Sequence, residues 1–239
     1  MYQERIYRKS MKPQGLINFT VVEEETDLHV SAYTNLEIET RRHVLIYRQQ
    51  IIDYISKNPL FKKSLIPIEV DSNSPDIVKH MAWAGEMAQV GPMASVAGAM
   101  AHYVGNALLK SSNEIIVENG GDIFINSKKE RSVLISAGNS LFSDKLAIII
   151  KKERMPLGIC TSAGTVGHSL SFGNADAVVI LSKDTLLADA VATAVGNIVK
   201  TVNDINTGID YGSSIKGVEG ILVIIEDKLG VWGNIELTR

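Results

Sequence analysis

From Glu114 to Thr161 the chain reads as five short, β-branched segments broken by turns, and this pattern limits the fold more than any other feature. The segments are Glu114 to Val117, Asp122 to Asn126, Ser132 to Ser136, Leu146 to Lys151 and Leu157 to Thr161. Each predicts a strand. A Gly-rich stretch from Ser162 to Gly173 follows, then a strand at Ala175 to Leu181 and a helix from about Leu186 to Lys200. Ile221 to Glu226 and Gly230 to Glu236 close the chain as a hairpin around Asp227-Lys228.

The first half carries the helices. Leu16 to Glu23 and Asp27 to Tyr33 alternate as a hairpin around Glu24-Glu25-Thr26. A long helix is expected from about Glu37 to Lys57, because Ile38, Leu45, Ile52 and Ile55 recur at helical spacing and Pro59 ends it. Leu65 to Val70 reads as a short strand or an extended link. A second helix starts at Ser74-Pro75, where proline suits the first turn. Gly91-Pro92 opens a third, to about Leu109, with Ala94, Gly98, Ala101 and Gly105 on one face. So small a stripe admits a close neighbour, either a packed element or a ligand. No low-complexity linker or internal repeat divides the chain. The expectation is one α/β domain over residues 1–239, mixed sheets packed with helices, with a bilobed arrangement as its variant.

At 239 residues and 45% hydrophobic, the chain can bury a substantial core. Its 24 basic and 27 acidic residues give a net charge of −3, without the basic excess of a phosphate-tracking surface, so no nucleic-acid partner is expected. The basic run Arg5, Arg8, Lys9 and Lys12 reads as a frayed, solvated tail. The single cysteine, Cys160, excludes an internal disulfide and sits in an apolar run as a buried, inert thiol. The most membrane-like stretch, Met87 to Leu109, carries Gln89, Ser95, His102 and Asn106 and falls short of a span. Without a signal-peptide pattern the expectation is a cytoplasmic, soluble protein.

Three places could carry chemistry. Asp189 and Thr193 stand at i and i+4 in Leu186-Leu-Ala-Asp-Ala-Val-Ala-Thr-Ala194, so a carboxylate and a hydroxyl share one helix face amid alanines. With a carbonyl and water they suit a hard cation such as Mg²⁺. The same pair also reads as a first-turn acid favoured by the helix dipole and a threonine bonded to its own backbone. In Glu118-Asn-Gly-Gly-Asp122, paired glycines offer bare N–H groups to a phosphate or ring edge, and equally mark a hairpin turn. Thr161-Ser-Ala-Gly-Thr-Val-Gly-His-Ser169 offers hydroxyls, flexible backbone and one histidine, His168, as a general acid or base. His29, His43, His80 and His102 lie on strands or helices and read as structural. The familiar phosphate-loop, dinucleotide, metal-cluster and nucleophile-elbow motifs are missing from the sequence.

In order and spacing these pieces resemble the ApbE-like superfamily, whose members carry a GGD turn, a TSG segment with a following histidine, and an ADA-x-AT helix. In particular the chain is similar to the uncharacterised ApbE-like branch with VGPMA, VENGGD and SGTVGHS strings. Here these read Val90-Gly-Pro-Met-Ala94, Val117-Glu-Asn-Gly-Gly-Asp122 and Ala163-Gly-Thr-Val-Gly-His-Ser169. The likeness covers about residues 85–200 by motif.

The resemblance implies an α/β fold that binds FAD. It also implies Mg²⁺-dependent cleavage of FAD, with FMN passed to a threonine of an acceptor protein or released with AMP. Asp189 and Thr193 would then hold the metal, with a backbone carbonyl near Pro92. Asn119, Gly120, Gly121, Asp122, Ser162 and Gly164 would line the flavin site, and His168 would match the catalytic histidine. Two departures bear on the reaction. The histidine lies in His168-Ser-Leu-Ser-Phe-Gly173 rather than HIIDP-x-TG, and Ser95-Val96 replaces a lysine-glycine pair. The alternative is a non-catalytic ligand-binding or partner protein on the same fold, a role to which a link with sulfur assimilation in some relatives would also be suited.

Overall fold

The computed structural model describes Arg8, residues 13–164 and residues 172–238. The chain opens with the hairpin β1 (Ile17–Glu23) and β2 (Thr26–Ala32). Four helices follow: α1 (Glu37–Lys57), α2 (Leu60–Lys63), α3 (Asp76–Met87) and α4 (Val96–Leu108). Then come β3 (Ile115–Asn119), β4 (Asp122–Asn126), β5 (Arg131–Leu134), β6 (Ala147–Ile150), β7 (Leu157–Ser162) and β8 (Ala177–Ser182). Helices α5 (Thr185–Ile198) and α6 (Ile205–Ser214) precede β9 (Val218–Ile225), β10 (Lys228–Gly233) and β11 (Glu236–Thr238).

One eight-stranded sheet runs in the order β1-β2-β3-β4-β7-β8-β9-β10, and a three-stranded sheet in the order β11-β6-β5. Every pairing is antiparallel. The large sheet is covered on both faces at its centre. Val117, Phe124, Cys160, Val178, Ile180 and Val223 pack towards the helices. Their neighbours Ile123, Ile125, Ile159, Val179 and Leu222 pack with Ile148 and Ile150 of the small sheet. Two-sided burial is why these strands read as continuous apolar runs rather than clean alternation.

Several expectations change. Of the two readings for Leu65 to Val70 the link holds, not the strand, and α4 is preceded by a 3₁₀ turn at Pro92–Ser95. Helix α6 was not expected. Its sequence Ile205-Asn-Thr-Gly-Ile-Asp-Tyr-Gly-Ser-Ser214 has little helix propensity. Packing holds it instead, with Gly208 set against Val195 and Val199 and Gly212 against Ile221. The face of α1 that meets the core is Thr40, Val44 and Ile51. Ile38, Leu45 and Ile52 lie on a second face, 88%, 50% and 47% exposed.

Arg8 is also unlike a frayed tail. Its side chain, 10% exposed, donates to Asp27 Oδ1 at 2.5 Å and Glu118 Oε2 at 2.6 Å. Those two carboxylates are themselves buried, and a buried charge requires a partner. The rest of that basic run lies outside the described residues.

The small-residue stripe of α4 resolves as close packing. A Cβ on Gly98 would stand 2.6 Å from the Thr185 carbonyl, and one on Gly105 would stand 2.3 Å from the Phe124 ring. Among the described residues, no helix is long and apolar enough to cross a membrane.

Candidate functional site

β3 and β4 meet in the two-residue turn Gly120-Gly121, with Asn119 paired to Asp122. Both glycines have positive φ, 70° and 110°, as a tight hairpin turn demands. The hairpin reading of Asn-Gly is therefore correct, and the turn also sits where a ligand site is expected. Glu118 fixes it from below: its Oε1 accepts the Gly121 N–H at 3.1 Å while its Oε2 binds Arg8. Gly121 lies against Thr161 of β7, where a Cβ would find ordinary contact at 3.7 Å. Ser162 closes β7 beside this turn. Its hydroxyl is buried and has no hydrogen-bond partner among the described residues.

Helix α4 points its N-terminus at the same corner. Asn119 Nδ2 donates to the Ala97 carbonyl at 3.1 Å. The Gly98 N–H donates to Asp189 Oδ2 at 2.8 Å. Asp189 thus satisfies an amide that the first turn of α4 leaves unpaired. It stands on α5, buried, and Thr193 follows one turn later, half-buried.

Burial pushes the Asp189 carboxyl well above the usual carboxylate range, and the charge of Asp122 pushes it the same way. The Gly98 and Ala97 amides pull in the opposite sense. Cys160 lies between these groups, with its Sγ 3.3 Å from the Thr185 carbonyl. Burial, then the nearby Asp122 and Asp189 charges, raise its thiol, so it is an inert packing group.

The structure therefore brings Asn119, Gly120, Gly121, Asp122, Ser162 and Asp189 to one end of the large sheet. Gly164 is held nearby, its N–H donating to the Ala175 carbonyl at 2.8 Å. The expectation for His168 lies outside the described residues. No group of three or more His, Cys, Asp or Glu side chains forms a metal set among the described residues. The donors that do converge are hard oxygens, among them the buried carboxylates of Asp122 and Asp189, and a hard cation fits such a set.

Sequence reasoning passed over Glu118, Arg8 and Gly98. Glu118 stood inside the quoted Val117–Asp122 string, but its partner is 110 residues away. His80 and His102 lie away from this corner's turn, in contacts between helices and sheet. His80 Nε2 lies 2.6 Å from Asp184 Oδ2, and Asp184 caps α5 by accepting the Leu187 N–H at 3.0 Å. His102 packs edge-on against Phe124.

This sheet order, with its helices on one face and the turn at the rim, is the fold of the ApbE flavin transferases. The Vibrio cholerae enzyme superposes with a TM-score of 0.59 over 92% of this chain and 97% of its own, at 12% identity. The Pseudomonas stutzeri flavinyl transferase gives 0.57 over 91% and 93%, at 13% identity. At such identities the likeness is one of fold.

The chain belongs to the family described as "AbpE bacteria", whose model matches residues 8–215. Among its relatives, UPF0280 protein MJ1526 of Methanocaldococcus jannaschii is 44% identical over 199 residues, 80% of each chain. The UPF0280 protein of Methanospirillum hungatei is 42% identical over 213 residues, 88% of this chain and 85% of its own.

Proposed function

We propose that this protein handles a flavin nucleotide at the corner formed by the Asn119–Asp122 turn, the start of α4, Ser162 and Asp189. The reaction assigned to it is Mg²⁺-dependent cleavage of FAD, with FMN transferred to a protein acceptor or released with AMP. The observation that carries this reading is the juxtaposition of Asp189 and Asp122. Burial, and then the nearby Asp122 charge, raise Asp189, and no basic side chain is among the influences on it. Such an arrangement favours a cation.

In this reading Asp189 and Thr193 hold the metal. A bound divalent ion supplies neutralisation of the pyrophosphate oxygens. The Gly120-Gly121 turn offers its backbone N–H groups to the nucleotide, and the unpaired Ser162 hydroxyl donates to it. Asp122 and Asn119 orient that turn, and Gly164 allows close approach beyond β7. His168 accepts a proton from the attacking hydroxyl.

One observation favours a binding protein without chemistry. By the resemblance Ser95 falls roughly where the transferases carry a lysine; it is fully buried and donates to the Pro92 carbonyl at 2.9 Å, in the region where a metal-binding carbonyl is expected.

Incubation of the purified chain with FAD and Mg²⁺, followed by chromatography, separates the two readings. Release of FMN and AMP that depends on Mg²⁺ supports cleavage. FAD that binds and stays intact favours the binding protein.

A further inference from the structure

Helix α1 has two apolar faces. Val44 and Ile51 enter the core with Thr40, while Ile38, Leu45 and Ile52 project from a second face about 120° round the helix, each seven residues from the next. At about 100° per residue, seven residues return almost to the same line. The exposed three therefore form a straight seam, the spacing by which helices pair with other helices.

The seam is symmetric about its middle residue. An antiparallel copy turned about a two-fold axis at Leu45 sets Leu45 against Leu45 and Ile38 against Ile52, twice over.

The charges beside the seam point the same way. Arg41 pairs with Glu23, and Arg48 with Glu25 at 3.0 Å. Exposed Arg42 and Asp53 flank the seam and make no ion pair among the described residues; the Asp53 carboxylate accepts the Gln49 side-chain amide at 2.7 Å. Side chains on a helix lean towards its N-terminus. In the antiparallel pair Arg42 of one copy and Asp53 of the other therefore lean towards each other, at two symmetric places. Antiparallel macrodipoles also match the acidic first turn (Glu37, Glu39) to the end that carries Lys57.

We infer that this protein forms a homodimer through antiparallel packing of α1 on α1, with the two-fold axis at Leu45. The inference is independent of any flavin chemistry. A closed two-fold contact of this kind uses one patch on both partners. From Ile38 to Ile52, fourteen steps of about 1.5 Å, the seam is about 21 Å long. It is smaller than an obligate interface, so the dimer dissociates reversibly, with a Kd on the order of micromolar.

The full chain tests this directly, because its own cysteine, Cys160, is buried. Under mild oxidation Leu45→Cys should form a covalent dimer. An equal mixture of Ile38→Cys with Ile52→Cys should do so as well, and Ile38→Cys alone should not. Sedimentation should give twice the chain mass at concentrations above Kd. Leu45→Glu should weaken association at least tenfold with little change in melting temperature, since Leu45 is 50% exposed and outside the buried core. Native protein that sediments as a monomer throughout overturns the inference. So does crosslinking of Ile38→Cys alone as efficient as that of Leu45→Cys, which would mean a parallel pair. So does an unchanged dimer in Leu45→Glu, which would place the interface elsewhere.

Discussion

Asp189 Oδ2 accepts the backbone N–H of Gly98 at 2.8 Å, so the carboxylate proposed for the metal is already the acceptor at the start of α4. The two roles are separable by charge. Asp189→Asn keeps an oxygen for the amide and loses the anion. Calorimetric titration of Mg²⁺ with FAD present should show clear loss of affinity in Asp189→Asn. Equal affinities would remove Asp189 from the metal site. Asp189→Ala should in addition cost about 1 kcal/mol of stability, as loss of a helix-cap acceptor does.

The same residue predicts a pH dependence. Burial, and then Asp122, hold the Asp189 carboxyl well above its ordinary 3.8. A raised acid favours the folded state while protonated. Its contribution is full below about 3.8 and is lost as the pH rises towards the folded-state value. Metal-free protein should therefore lose melting temperature from this group on going from acid to neutral pH. Mg²⁺ should recover it at neutral pH. Asp189→Asn should flatten this contribution and abolish the Mg²⁺ response; an identical pH profile in the variant would refute the assignment.

Gly98 leaves no space for a side chain, because a Cβ would stand 2.8 Å from the Asp189 Cβ as well as 2.6 Å from the Thr185 carbonyl. Gly98→Ala should destabilise by about 1–3 kcal/mol through overpacking, measured by urea denaturation. It should also displace Asp189 and weaken Mg²⁺ binding. Unchanged stability would mean that α4 and α5 are less tightly apposed than described.

Arg8→Met should remove the guanidinium that pairs with buried Asp27 and Glu118. Breaking such a pair costs about 3 kcal/mol or more. Glu118 also holds the Gly121 amide. Fluorescence titration should therefore show weaker flavin binding at temperatures where the variant is still folded. Full flavin affinity in the folded variant would detach Arg8 from the site.

His168→Ala should lower FAD turnover by about 10²–10⁴-fold, the range of a lost general base, while flavin affinity changes only a few-fold. The melting temperature should scarcely move. Equal turnover in both proteins would show that His168 does not act on the proton.

The sequence made α1 legible from end to end, because its periodicity was long and Pro59 closed it. It left unread which side of α1 faces inward, since a spacing of seven suits a core seam and a partner seam alike. Asn119-Gly-Gly-Asp122 was readable as a turn because only positive φ fits there. Arg8 was misread because a charge run reveals its neighbours in the chain, whereas its partners lie 19 and 110 residues away. Helix α6 was invisible for a related reason. Its stability comes from Val195, Val199 and Ile221 rather than from its own composition.

The strand order has a consequence for how the molecule assembles. Turn-linked neighbours such as β3 and β4 can pair as soon as they are synthesised. The β2–β3 pairing, Ala32 with Ile115, must wait until α1 to α4 have been laid between them. Closing so long a loop costs entropy that only later contacts repay. The Gly120-Gly121 turn therefore belongs to an early, local event, and Asp189 reaches it late, when α5 docks on α4. Substitutions in the β3–β4 hairpin should alter the folding rate, whereas Asp189→Ala should act mainly on unfolding. The contact that joins the two halves of the corner, Asp189 with Gly98 91 residues away, is long-range, so it reports that α4 and α5 have docked.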